Sequence, residues 1–160
     1  AEGLRFLAQG LAETRNNPND LEARARCQHG MWLAISGAAS GRGMGASHAI
    51  GHTLGGSYDI PHGITSCITL HAVLSWNRDY SRDQQALISK LMGKRALPAA
   101  DVVRDLVKSL GLPWRLSEVM LGRSHFRAIA EHTMHDRGVK FNPRPIKSAD
   151  DIVEILELCA

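Results

Sequence analysis

The stretch from His62 to Trp76 sets the strongest limit on the fold. Ile64, Cys67, Ile68, Leu70, Val73 and Leu74 point in nearly every direction around a helix of that length. A helix that is apolar all round must be buried, so other elements have to surround it. Pro61 stands just before it, where a fixed φ and a missing N–H suit a helix start. The chain therefore needs a core element near its middle, with helices or sheets packed on several sides of it.

The flanking patterns supply helices. Leu4, Leu7, Ala8 and Leu11 share one face of a first helix, Ala1 to Arg15, that Asn16-Asn17-Pro18 ends. Asn19, with Glu22 three residues on, predicts a capped start to a second helix. Its amphipathic stripe of Leu21, Ala25, Gln28, Trp32, Ile35 and Ala39 runs to about Ser40, where Gly41-Arg42-Gly43-Met44-Gly45 breaks it. A short helix from Ala46 to Leu54 is expected to stop at Gly55-Gly56. Ser81 with Gln84 predicts a capping box for a helix ending at Gly93, with Leu87, Ile88 and Leu91 as its apolar residues. Pro98 opens another helix, which stops at Gly111 and turns Val102, Val103, Leu106 and Leu110 inward. Ser124 to about Asp136 and Asp150 to about Leu158 complete the set, separated by the extended Asn142-Pro143-Arg144-Pro145 segment. No alternating strand pattern of useful length is present. The fold class is all-α, a compact bundle of about seven helices in one domain spanning residues 1–160.

Charge and cysteine usage exclude several functions. A net charge of +3, with no basic stripe and no interleaved aromatics, argues against nucleic acid. No apolar run approaches the roughly 20 residues a bilayer needs, so no membrane partner is expected. Cys27, Cys67 and Cys159 form no Cys-x-x-Cys pair, which fits reduced thiols and a cytoplasmic location. Cys67 reads as a small packing residue. The chain opens inside a helix pattern with no capping residue, so it is expected to be a fragment.

The chemistry gathers between Gly45 and Gly63. His48 and His52 are four residues apart and share a helix face, the geometry of a two-His metal clip. It is not a His-Glu-x-x-His protease site, because position 49 is Ala. His62 sits at the N-terminus of the buried helix, between Pro61 and Gly63, where the helix dipole favours neutral imidazole. For His29, His125, His132 and His135 the expectation is ordinary polar surface.

The run Gly45-x-x-His48-x-x-x-His52-x-Leu54-Gly55-Gly56, then Pro61-His62-Gly63, then Leu70-x-x-Val73-Leu74-x-x-Asn77, resembles the iron-containing alcohol dehydrogenases. The Gly-Gly after Leu54, Asn142-Pro143-Arg144-Pro145-Ile146 and the Asp-x-x-Glu-Ile-Leu ending at Leu156 are similar to the maleylacetate reductase branch. The resemblance covers essentially the whole chain. It implies the C-terminal helical domain of an NAD(P)-dependent enzyme that reduces a carbonyl or enone by hydride transfer. It also implies a separate N-terminal dinucleotide-binding domain and a homo-oligomer. By resemblance, His48 and His62 match two ligands of a divalent iron or zinc. His52 matches a catalytic His near the nicotinamide that is not a ligand. The family's Asp-x-x-x-His motif, which supplies the other ligands, and its Gly-rich phosphate loop are absent from these 160 residues. The fragment alone is therefore expected to hold metal weakly and to be inactive. His71 stands where the family commonly has Pro. Arg144 is a candidate for a substrate carboxylate, against the alternative of a loop Arg paired with a nearby acid. Two other readings remain at this stage: a stand-alone helical binding module, and a metal-storage or sensing domain built on His48, His52 and His62.

Overall fold

The computed structural model describes residues 1–39, 41 and 43–160. Among them it contains eight α-helices and no strand. They are α1 (Glu2–Asn16), α2 (Leu21–Ala38), α3 (Ala46–Tyr58), α4 (His62–Trp76), α5 (Arg82–Leu91), α6 (Ala99–Ser109), α7 (Phe126–Thr133) and α8 (Ala149–Glu157). Short 3₁₀ turns join several of them. The all-α class holds, and α4 has the expected bounds.

α4 is the axis of the molecule. It packs on α3, α6 and α8, and α7 closes the far side by touching both α3 and α8. Ile50 and Leu54 of α3, Ile68 of α4, Ile129 of α7 and Ile152, Ile155 and Leu156 of α8 are all fully enclosed. Each such side chain contributes roughly 1.5–3 kcal/mol of burial. Gly51 lets α3 approach α4 closely, since a Cβ there would lie 2.7 Å from Thr65 Oγ1. Leu70 is the exposed large apolar residue of α4, at 38%.

Helices α1 and α2 form a hairpin whose packing reverses the expected face. Leu21, Trp32 and Ile35 are 78%, 67% and 60% exposed. Ala25 and Ala39 are also exposed. The opposite side, with Ala23 and Gly30 buried and Cys27 partly so, meets Gly3 and Gly10 of α1. A Cβ on Gly30 would stand 3.0 Å from the Gly3 carbonyl, and one on Gly10 would stand 2.8 Å from Cys27 Sγ. The helices approach so closely that small residues, not large ones, mark the contact. The large apolar residues of α2 are left as an open stripe.

Other expectations are corrected at helix ends. Asp20, not Asn19, caps α2, accepting from the Ala23 amide at 3.0 Å. The expected end of α2 at about Ser40, and Arg42 in the glycine-rich break, lie outside the described residues. Gly55-Gly56 does not stop α3; the helix runs on to Tyr58, and Asp59 ends it in the left-handed region at φ 55. Ser81 makes no capping box. Its hydroxyl donates back to the Asn77 carbonyl at 3.1 Å and accepts from Gln85. On α5 the inward residues are Gln85 and Ser89, while Leu87 is 48% exposed. The segment expected as one helix to Asp136 is a 3₁₀ turn followed by the shorter α7. At α8 the box is present, built from Ser148 and Asp151.

Candidate active site

Two adjacent helix ends bring the three histidines together. His48 and His52 leave α3 one turn apart, and His62 is the first residue of α4. Their ring centroids lie 4.3 Å (His48–His52), 5.0 Å (His48–His62) and 5.9 Å (His52–His62) apart. The corner is rigid because both helices are anchored below it. The Pro61 carbonyl accepts from Ile64 and Thr65, and Thr65 Oγ1 donates to the His62 carbonyl at 2.8 Å.

The three rings are not equivalent. Burial, and after it the neighbouring His52 and His62, lower the His48 pKa, so its imidazole stays neutral and keeps a lone pair. His52 is held by Asp136, with Nδ1 2.7 Å from Asp136 Oδ2. Burial alone would raise the Asp136 carboxyl. The His52 hydrogen bond and the Gly138 amide at 2.6 Å lead the effects that outweigh it and hold the group below its ordinary value. An ionised carboxylate only accepts, so His52 donates from Nδ1 and Nε2 is the ring nitrogen that Asp136 does not engage.

Asp136 is the partner of His52 that sequence reading missed. It lies 84 positions from His52, on the short segment after α7. His132 and His135, taken as ordinary surface, join it along one side of a cleft of about 290 Å³. His52 and Ser57 line the other side, and Ser57 Oγ is 3.1 Å from His132 Nδ1. The spacing of His132, His135 and Asp136, three and four apart, was the available signal.

The other singled-out residues lie elsewhere. Arg144 stacks over the Trp76 ring at 3.8 Å, donates to the Trp76 carbonyl at 3.4 Å and approaches Glu154 at 3.6 Å. That is the alternative reading, a loop Arg beside an acid. His71 is buried against Trp114, its Nε2 2.9 Å from the Trp114 carbonyl. Cys67 is half-buried, and burial raises its thiol.

Two motif asparagines brace the site from behind. Asn77, at the end of α4, and Asn142 exchange hydrogen bonds through both amide groups, at 3.0 and 2.8 Å. Asn142 Oδ1 also accepts from the Ala46 amide at 3.3 Å, at the start of α3. Gly45, with no side chain of its own, leaves that capping role to Asn142. Asn142 Nδ2 donates to the Arg144 carbonyl at 2.7 Å.

The donor set suits two bonds to one divalent metal. The His48 and His62 rings, 5.0 Å apart, are near enough for one divalent metal to lie between them. Among the described residues no three His, Cys, Asp or Glu side chains are grouped to hold a metal. Any further ligand has to come from outside them.

The chain belongs to the Fe-containing alcohol dehydrogenase family, whose C-terminal model matches residues 1–159. It is 30% identical over 155 residues to maleylacetate reductase 1 of Cupriavidus pinatubonensis, covering 97% of this chain and 42% of that protein. Among solved structures it matches maleylacetate reductase from Rhizobium sp. strain MTP-10005 with a TM-score of 0.86 at 30% identity, over 99% of this chain and 43% of that one. An iron-containing alcohol dehydrogenase from Corynebacterium glutamicum matches with a TM-score of 0.85 at 31% identity, over 98% and 42%. The chain thus spans less than half the length of these relatives. Among the described residues no helix is long and apolar enough to cross a membrane.

Proposed function

We propose that this chain is the helical half of an NAD(P)-dependent oxidoreductase that reduces a carbonyl or enone, of the alcohol dehydrogenase or maleylacetate reductase type. The observation that carries the proposal is the corner where His48, His62 and an Asp136-oriented His52 converge. The similarity to maleylacetate reductases over nearly the whole chain supports the same reading.

The division of labour follows from the rings. His48 and His62 would hold a divalent metal, with its remaining ligands coming from outside the described residues. When bound, such a metal polarises a substrate oxygen as a Lewis acid. Asp136 fixes His52 in the tautomer that presents Nε2 to the cleft. A bound nicotinamide would supply hydride; His52, when it carries protons on both ring nitrogens, would give the Nε2 proton toward the product and keep the Nδ1 proton on Asp136. Nicotinamide binding requires a dinucleotide domain, which is the proposed partner of this one, and the isolated 160 residues are inactive. Arg144 is already engaged by Trp76 and Glu154 and serves as a strut; holding a substrate carboxylate would require it to leave both.

The test is steady-state NADH and NADPH oxidation by the native protein, with maleylacetate and with a short aldehyde. The proposal expects turnover of at least one, with a drop in kcat of about 10²–10⁴-fold for His52→Ala, the usual range for losing an acid–base group. Oxidation of neither nicotinamide by either substrate rejects it.

A further inference from the structure

We propose a second ligand site, for a phosphate-type dianion, in a cleft at the opposite end of α4 from the histidines. His62 begins α4 and Arg78 follows its end, so the helix separates the two sites by about 22 Å at 1.5 Å per residue. The cleft has a volume of about 570 Å³ and lies between α5, the loop after it and the start of α6. That size is within the range of small-molecule sites.

Its lining is built for an anion. Arg78, Arg82 and Arg95 face Asp79 alone, three guanidiniums against one carboxylate. Arg82 is bonded to Asp79 at 2.5 Å, whereas no described residue forms an ion pair with Arg78 or Arg95. The N-terminus of α6 opens at the cleft through Pro98 and Ala99, and no side chain caps it. Its first amides and the positive end of its dipole are therefore available to a negative group.

The decisive residue is Ser89. It lines the cleft and is only 2% exposed. Its hydroxyl makes no hydrogen bond to a described residue, although the other inward polar residue of α5, Gln85, donates to the Leu74 carbonyl and to Ser81. No fully enclosed side-chain oxygen or nitrogen among the described residues lacks a partner. The small accessible part of Ser89 is therefore its hydroxyl, turned into the cleft as an unused donor. An oxyanion bound in the cleft would accept from that hydroxyl.

Charge selects the ligand class. A surplus of two positive charges matches a phosphate group, which carries about 1.5–2 negative charges near neutral pH, better than a single carboxylate. Guanidinium forks also suit phosphate oxygens bidentately. The ligand is inorganic phosphate or a small phosphate monoester.

Isothermal titration of the native protein with inorganic phosphate, and separately with glycerol 3-phosphate, tests the site at fixed ionic strength. Saturable binding at one site per chain is expected, with acetate at least tenfold weaker. Tighter binding of the monoester identifies an organic phosphate as the ligand, and equal binding identifies the free anion. Arg78→Gln combined with Arg95→Gln, and separately Ser89→Ala, should each weaken phosphate at least tenfold. Both arginines are exposed and Ser89→Ala adds no bulk, so circular dichroism should be unchanged. Arg123→Gln, which removes a charge paired with Glu157 elsewhere, should leave binding as it was. No saturable phosphate binding, or an equal loss in the Arg123 control, overturns the proposal.

Discussion

Replacing Asn142 by Ala should be among the most damaging single changes outside the apolar core. Asn142 is 7% exposed and Asn77 is 4% exposed. The substitution removes both hydrogen bonds to Asn77 and the ones to Ala46 N–H and the Arg144 carbonyl. The Asn77 amide then keeps one contact, the weak 3.3 Å bond from the Arg144 amide. A buried polar group stripped of its partner costs about 1–3 kcal/mol. With the Asn77 amide most affected and the Ala46 amide partly so, a loss of about 2–4 kcal/mol is expected, a large share of the roughly 5–15 kcal/mol that holds a domain. Urea unfolding followed by circular dichroism measures it as a lower midpoint at unchanged slope. Asn77→Ala in the Asn142→Ala background should cost little more, because its partner has already gone. A loss below about 0.5 kcal/mol for Asn142→Ala, or full additivity in the double variant, would show that the pair is not a structural brace.

Two further outcomes follow from particular residues. Burial lowers the His71 pKa below its ordinary 6.5, so the unfolded chain takes up a proton first as pH falls. Its stabilising contribution is complete above pH 6.5 and declines below it; His71→Gln should flatten the denaturation midpoint between pH 6.5 and 5, and an unchanged slope would contradict this. The stripe of Leu21, Trp32 and Ile35 is apolar for a surface and should drive self-association of the isolated chain. Sedimentation should show dimers or larger species that Trp32→Lys with Ile35→Lys disperses; a clean monomer at high concentration contradicts it.

The sequence announced some of this and hid the rest for identifiable reasons. α4 was legible to the residue because Pro61 fixes its start and an all-apolar face demands burial. α2 was legible as a helix, but its orientation was not. Periodicity marks the side with large apolar residues, while the closest contact belongs to Gly3, Gly10 and Gly30, where backbones touch. Gly55-Gly56 misled because a helix penalty of about 1 kcal/mol per glycine is smaller than the burial that holds Leu54 and Ile60 against the core. In the site, the three histidines were legible since they fall within 15 residues of one another. The partners that orient them were not. Asp136 is 84 residues from His52, and Asn142 is 65 from Asn77, distances at which only the fold makes neighbours.

The proposed function requires this chain to be half of a nicotinamide-dependent enzyme, and the intact mass of the native protein tests that most directly. The expected mass is well above the 17.5 kDa of these 160 residues, by at least one further domain of roughly 100–200 residues. A native protein of 17.5 kDa would contradict it, because no dinucleotide domain and no further metal ligands would exist in the same chain.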